Sequence, residues 1–204
     1  MGQNLVVTSG ESPTDEAPGW DLIDDAVAPI VGSSAPFHWG TGTSLPDQGG
    51  LWGVSAYNCG SHWFFVTYGL SELFTKVTDD PEVSGWGEEL TMRVLRQEDD
   101  PPQWAVKLLA RLGELVFQRK TPFLPGGRLE MPDGGGEVPP ALAWTEDPEL
   151  SPAHGPFGSV QFVATIGVSI DTLARMRSET TGAVVETVKT ENPLLLVGGP
   201  GLTW

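Results

Sequence analysis

Apolar residues recur along this chain with two periods, one helical and one extended. Trp20, Ile23, Val27 and Ile30 fall at helical spacing, with Asp21, Asp24 and Asp25 near the N-terminal end, where the helix dipole favours carboxylates. Pro29 and Gly32 are expected to close that helix. A second stripe runs through Trp104, Leu108, Leu112 and Leu115/Val116, with Lys107, Arg111, Glu114 and Gln118 on the other side and two prolines opening the segment at 101–102. Ser169 offers an N-cap to a third helix through Ile170, Leu173 and Met176, with Gly182 as its stop.

The remaining pattern is extended. Residues 51–59 and 63–68 are rich in aromatic and β-branched side chains around Gly60-Ser61, which predicts a hairpin. Leu90, Met92 and Val94 alternate with Glu89, Thr91 and Arg93, and Val160, Phe162, Ala164 and Ile166 with Gln161, Val163 and Thr165, the period of strands with one covered face. Further strands are expected at 184–189 and 194–197, a turn at 35–42, and a Gly- and Pro-rich loop with at most a short strand at 124–140. Strands run together without alternating helices, so the expected fold is α+β: a mixed, largely antiparallel sheet of six or more short strands with about three helices. Residues 1–19 carry no period and read as a flexible leader, leaving 20–204 as one domain.

Composition narrows the function. Lys plus Arg is 11 against 27 Asp plus Glu, a net charge of −16 that repels phosphate backbones and makes nucleic acid a poor partner. Clustered carboxylates would instead steer a basic protein partner. The uncharged stretch 48–71 has the length of a membrane span, but its glycines, Asn58 and His62 fit buried strands better, so no membrane is expected. The first residues lack the basic and apolar regions of a secretory signal, and Val6 stands where myristoylation needs Ser or Thr; the expected location is cytoplasmic. A lone cysteine, Cys59, forms no internal disulfide.

Candidate chemistry is sparse. His38, His62 and His154 are dispersed without zinc-site spacing, so neither metal nor cofactor is expected, and His38 and His62, each followed by Trp, read as members of an aromatic cluster. Cys59 and His62 could form a thiol and its base, yet a lone cysteine is more often a small core residue. The pairs Asp79-Asp80, Glu88-Glu89 and Asp99-Asp100 could hold catalytic carboxylates, but neighbours on a strand point to opposite faces, and solvated edges are the plainer reading. Phosphate-loop, dinucleotide and nucleophile-elbow motifs are absent. Eight tryptophans are many for this length; core is the plainer reading for any single one, and Trp52 and Trp86, flanked by glycine, are the better interface candidates.

Five blocks in order carry a resemblance. Residues 57–74 (YNCGSHWFFVTYGLSELF), 84–93 (SGWGEELTMR), Pro102-Gln103-Trp104 with Leu108, Leu109, Leu112 and Val116-Phe117, the run 145–148 (TEDP), and 155–162 (GPFGSVQF) running into 166–168 are similar to the Suppressor of fused domain. Departures are Phe64-Phe65 for His-Tyr, Phe74-Thr75 for Tyr-Gly, and Glu88 for an aromatic. The resemblance implies a non-catalytic protein-binding module. Animal members of the family sequester a transcription factor by pairing an extended peptide with sheet edges between two lobes. Stand-alone bacterial members are thought to be immunity proteins that neutralise polymorphic toxins, many of them nucleases.

Three readings follow. The first is an immunity protein neutralising a toxin, a basic nuclease being one such partner, and the second a regulatory adaptor binding an extended peptide. A hydrolase using His62 or His154 with carboxylates is the third, and no nucleophile, base and orienting group can be named together for it. The resemblance places partner recognition at Phe65, Tyr68, Ser71, Glu72, Asp79, Asp80, Trp86 and Glu88.

Overall fold

Two amphipathic helices and a pair of shorter ones cover a single mixed sheet in this computed structural model, which describes residues 6–7, 17–42, 50–132 and 134–204. The strands are β1 (Val6–Val7), β2 (Phe37–Gly40), β3 (Gly53–Asn58), β4 (His62–Tyr68), β5 (Val83–Leu95), β6 (Arg128–Glu130), β7 (Ala141–Glu146), β8 (Ala153–Gly155) and β9 (Gly158–Val168). The helices are α1 (Pro18–Val31), α2 (Gln103–Arg119), α3 (Ile170–Ser178) and α4 (Thr181–Lys189). Strand order is β1-β2-β3-β4-β5-β9-β7-β6, with β8 on β9; among the described strands only β5 and β9 pair in parallel, so the sheet is mixed and largely antiparallel.

The sheet is covered on both faces. On one side α2 buries Val106, Leu109, Leu112 and Val116 against Val54, Phe65, Leu90 and Met92, and Leu142, Trp144 and Val163 extend the same core. On the other side Ile23 and Val27 of α1 pack with Phe64, Val66, Tyr68 and Phe162, while α3 and α4 cover Ala141, Ala143, Ile166 and Val168. Glu89, Thr91 and Arg93, which alternation assigns to solvent, are fully buried as well. Arg93 is held there by both oxygens of Asp147 at 2.7 and 2.9 Å and lies 4.8 Å from the Phe64 ring centre.

Several local expectations give way to packing. Pro29 lies inside α1, near enough to its end that the lost hydrogen bond matters little, and Gly32 caps the helix. The expected turn at 35–42 contains β2, paired along its length with β3. Residues 184–189, read as a strand, belong to α4, and Gly182 sits in its first turn instead of stopping α3. Thr180 caps α4 by accepting from the Ala183 amide at 3.1 Å. Residues 194–197 form turns with one bridge, Val197 to Val94. The leader expected at 1–19 falls mainly outside the described residues; within them, Val6–Val7 pair with β2 and Pro18 and Gly19 open α1. No helix among the described residues is long and apolar enough to cross a membrane.

Candidate functional site: an aromatic recess beside an acidic loop

At the end of β4 the chain leaves the sheet through Gly69 and turns back to β5, and this return opens a recess of about 240 Å³. Two aromatic pairs frame it: Trp52 with Phe74, ring centres 4.7 Å apart, and Trp86 edge-on to Phe117 of α2 at 5.9 Å. Two glycines make the geometry possible. Gly69 has φ +113°, and a Cβ there would lie 2.4 Å from the Gly50 carbonyl oxygen; Gly85, at φ +58°, would meet the Leu70 carbonyl oxygen at 2.5 Å. The Trp86 amide donates to that same Leu70 oxygen at 2.9 Å, which seats the indole at the rim.

Glu89 fastens the return from beneath. Its Oε1 accepts from the amides of Gly69 and Ser71 at 3.0 and 2.9 Å and from the Ser71 hydroxyl at 2.7 Å, while Oε2 accepts from Thr67 at 2.6 Å. Burial pushes the Glu89 carboxyl up to about 7, against the pull of those donors. Glu72 builds the next turn, accepting from the amides of Val77 and Thr78 and from Lys76 Nζ at 2.9 Å. Burial alone would raise its pKa, but the Thr78 amide, Lys76 and the Val77 amide together hold it below the usual carboxylate range. Lys76 also donates to the carbonyls of Val83 and Phe157, so its charge is spent inside the loop. Past this turn Asp79, Asp80 and Glu82 stand exposed, with Asp80 Oδ1 accepting from the Glu82 amide.

The residues expected to meet a partner divide accordingly. Ser71, Glu72 and Trp86 line the recess, and Asp79 and Asp80 lie on the exposed loop beside it. Phe65 and Tyr68 are fully buried, Phe65 in the α2 core and Tyr68 bonded to Asp24 at 2.7 Å under α1. Glu88 is also inside, accepting from the Phe123 amide at 2.8 Å while its other oxygen has no partner among the described residues. The solvated-edge reading of Glu88-Glu89 is thus overturned: the two side chains leave β5 on opposite faces, and both faces are covered. Glu72 and Ser71 are likewise buried, so they shape the recess without offering an exposed charge or hydroxyl. Trp52 was legible from its flanking glycine; Phe74 and Phe117 reach the recess through the fold and carried no separate signal beyond the similar blocks that contain them.

The chemistry proposed for the histidines and Cys59 is not assembled. His38 bonds Ser55 at 2.9 Å and packs tilted against Trp20 and edge-on to Tyr68, as an aromatic-cluster histidine. His62 is buried beside Arg93, and burial first, then that charge, lowers its pKa. Cys59 Sγ lies 4.0 Å from the Ile30 carbonyl oxygen, and burial pushes its thiol up, away from nucleophilic thiolate. His154 is exposed on β8. No group of three or more His, Cys, Asp or Glu among the described residues is placed to hold a metal ion.

Comparison with known proteins places this geometry. The family model described as Suppressor of fused protein (SUFU) matches residues 50–198. The Suppressor of fused homolog of Homo sapiens is 29% identical over 196 residues, covering 89% of this chain and 40% of that protein, and the Mus musculus homolog matches equally. The crystal structure of Drosophila Suppressor of Fused superposes with a TM-score of 0.78 at 22% identity over 89% of this chain and 50% of that one. A Sufu–Fu complex gives 0.77 at 22% identity over 89% and 90% of the two chains, and a homolog from Neisseria gonorrhoeae 0.54 at 10% identity over 90% and 96%. This chain spans less than half the length of the curated relatives it matches. With most of the sheet, α2 and the recess inside the matched span, the chain belongs to the Suppressor of fused family.

Proposed function

We propose that this chain is a non-catalytic protein-binding domain that captures a basic partner at the recess framed by Trp52, Phe74, Trp86 and Phe117. The observation carrying this reading is the juxtaposition of half-buried aromatic anchors with an exposed acidic loop whose nearest cation, Lys76, is already bonded to Glu72 and to backbone. Aromatic anchors supply buried area with few rotors, and uncompensated carboxylates at the rim steer a basic surface toward them. A solved relative described as a Sufu–Fu complex supports a protein partner as the ligand class. The biological setting we propose is neutralisation of a basic toxin domain, in keeping with the charge of −16.

Titrating the purified chain with the product of a toxin gene adjacent to its own tests both levels. Saturable binding that Trp86→Ala weakens by about tenfold or more, with the melting temperature nearly kept, is the expected result. Full affinity in Trp86→Ala and in Asp79→Lys/Asp80→Lys would remove the recess as the binding surface. Binding of a non-toxin peptide at the recess, with none to the toxin, would keep the binding domain and replace immunity by the adaptor role.

A further inference from the structure

A second surface lies at the opposite end of the sheet. Trp86 and Val94 stand eight positions apart on β5, about 26 Å of extended chain, and α2 carries Trp104 near its first turn and Phe117 near its last, about 20 Å apart. Around Val94 and Trp104 opens a groove of about 800 Å³. One wall is aromatic: Phe37, 41% exposed, lies 6.1 Å from Trp39 and 5.8 Å from Trp63, both of which are buried behind it. The same groove is lined by Trp104 edge-on to Trp204 at 6.2 Å, and Trp204, 38% exposed, is held by donating from Nε1 to the Gly136 carbonyl at 3.0 Å. The rim carries the exposed carboxylates of Glu98, Asp100 and Glu137, and the described lining contains no Lys, Arg or His.

We propose that this groove docks an extended, proline-containing basic segment of a partner protein, at a site separate from the recess. Two aromatic clusters lining one open groove suit the preformed polyproline II conformation, which loses little entropy on binding. Arg side chains projecting from such a segment reach both the indole faces of Trp104 and Trp204 and the rim carboxylates. Other occupants are disfavoured by charge: a second copy brings its own excess of −16, and residues 1–20 of this chain contain Asp15, Glu11 and Glu16 but no Lys or Arg.

The test is titration of the full chain with a capped peptide of Arg-Pro repeats, about ten residues long, read by the indole N–H signals in two-dimensional NMR. Saturable shifts of Trp104 and Trp204, with Trp52 and Trp86 unmoved and no binding of the matching Glu-Pro peptide, are expected. Glu98→Lys/Asp100→Lys/Glu137→Lys should reduce affinity by about tenfold or more without changing the melting temperature, and Trp204→Ala should weaken binding in the same assay. Lack of saturation, shifts confined to Trp52 and Trp86, or full affinity in the triple variant would overturn the inference. So would a dimer in sedimentation that Trp204→Ala dissociates, since a second copy would then occupy the groove. Each of these outcomes leaves the recess reading standing, because the indole signals of the two sites are separate.

Discussion

Glu88 sits in an uneven environment: one oxygen bonds the Phe123 amide, and the other is buried without a partner among the described residues. Burial, opposed by the Phe123 amide and reinforced by Glu89, pushes its carboxyl up to about 8. A carboxyl whose pKa is raised by folding binds more protons folded than unfolded, so its contribution to stability falls as pH rises from the unfolded value toward about 8. Glu88→Gln keeps an acceptor for Phe123 and removes the ionisation. It should raise the melting temperature at pH 8 by roughly 2 to 6 °C and by little at pH 4; an equal gain at both values would refute the titration. Asp147 has the opposite sign. Burial would raise its pKa, but the bidentate Arg93 guanidinium, Thr91 and the Glu149 amide hold it below the usual range. Its stabilisation is present above the unfolded carboxylate pKa and is lost as pH falls through the folded one. Asp147→Ala strands the buried Arg93 charge and should cost about 3 to 5 kcal/mol at neutral pH, measured by denaturant unfolding. A loss below about 1 kcal/mol would mean that Glu149 alone satisfies Arg93.

At the scale of elements, what the sequence revealed depended on whether local pattern and final packing agreed. The α2 stripe, the hairpin of β3 and β4, and Ser169 at the start of α3 were legible because each signal is short-range. Residues 184–189 were not. Val184-Val185 reads as strand by propensity, yet Val184, Val185 and Val188 are buried together against β7 and β9 as a helical face, and tertiary burial outweighs β-branched preference. The polar alternation of β5 misled for a related reason: Glu89, Thr91 and Arg93 mark a second buried face with its own hydrogen-bond network, which no single-strand pattern distinguishes from solvent. The recess was half legible, through Trp52, Trp86 and the neighbouring glycines, whereas Phe117 arrives from a helix 31 residues further along (117 − 86). Gly85 joins these levels. Gly85→Val would force a Cβ against the Leu70 carbonyl in a backbone region that β-branched residues avoid. Partner affinity should fall more than stability does, because the strain falls on the recess wall; a variant with native affinity would show that the wall is not part of the interface. Trp63→Ala, by contrast, removes a 1%-exposed core ring and should cost about 3 to 5 kcal/mol by denaturant unfolding.

For the molecule as a whole, the excess of carboxylates acts at a distance before any contact forms. A charge of −16 on a domain of this size repels copies of itself and attracts basic surfaces, but only where the carboxylates are free of internal cations does the field point anywhere useful. Arg93, Lys76, Arg96 and Lys189 are each already paired with a carboxylate. Asp79, Asp80 and Glu82 protrude from the loop beside the aromatic recess, so they should orient an approaching basic partner toward Trp86. Such steering is screened beyond about 8 Å at physiological ionic strength. Association with a basic partner should therefore slow steeply as salt rises while dissociation changes less. Asp79→Lys/Asp80→Lys should lower the association rate at low salt and flatten its salt dependence. The melting temperature should move little, since Asp79 is exposed and Asp80 forfeits only its exposed bond to the Glu82 amide. Stopped-flow association measured across a salt series, for the parent and the double variant, decides the matter: identical slopes would mean that the steering field arises from carboxylates elsewhere on the surface.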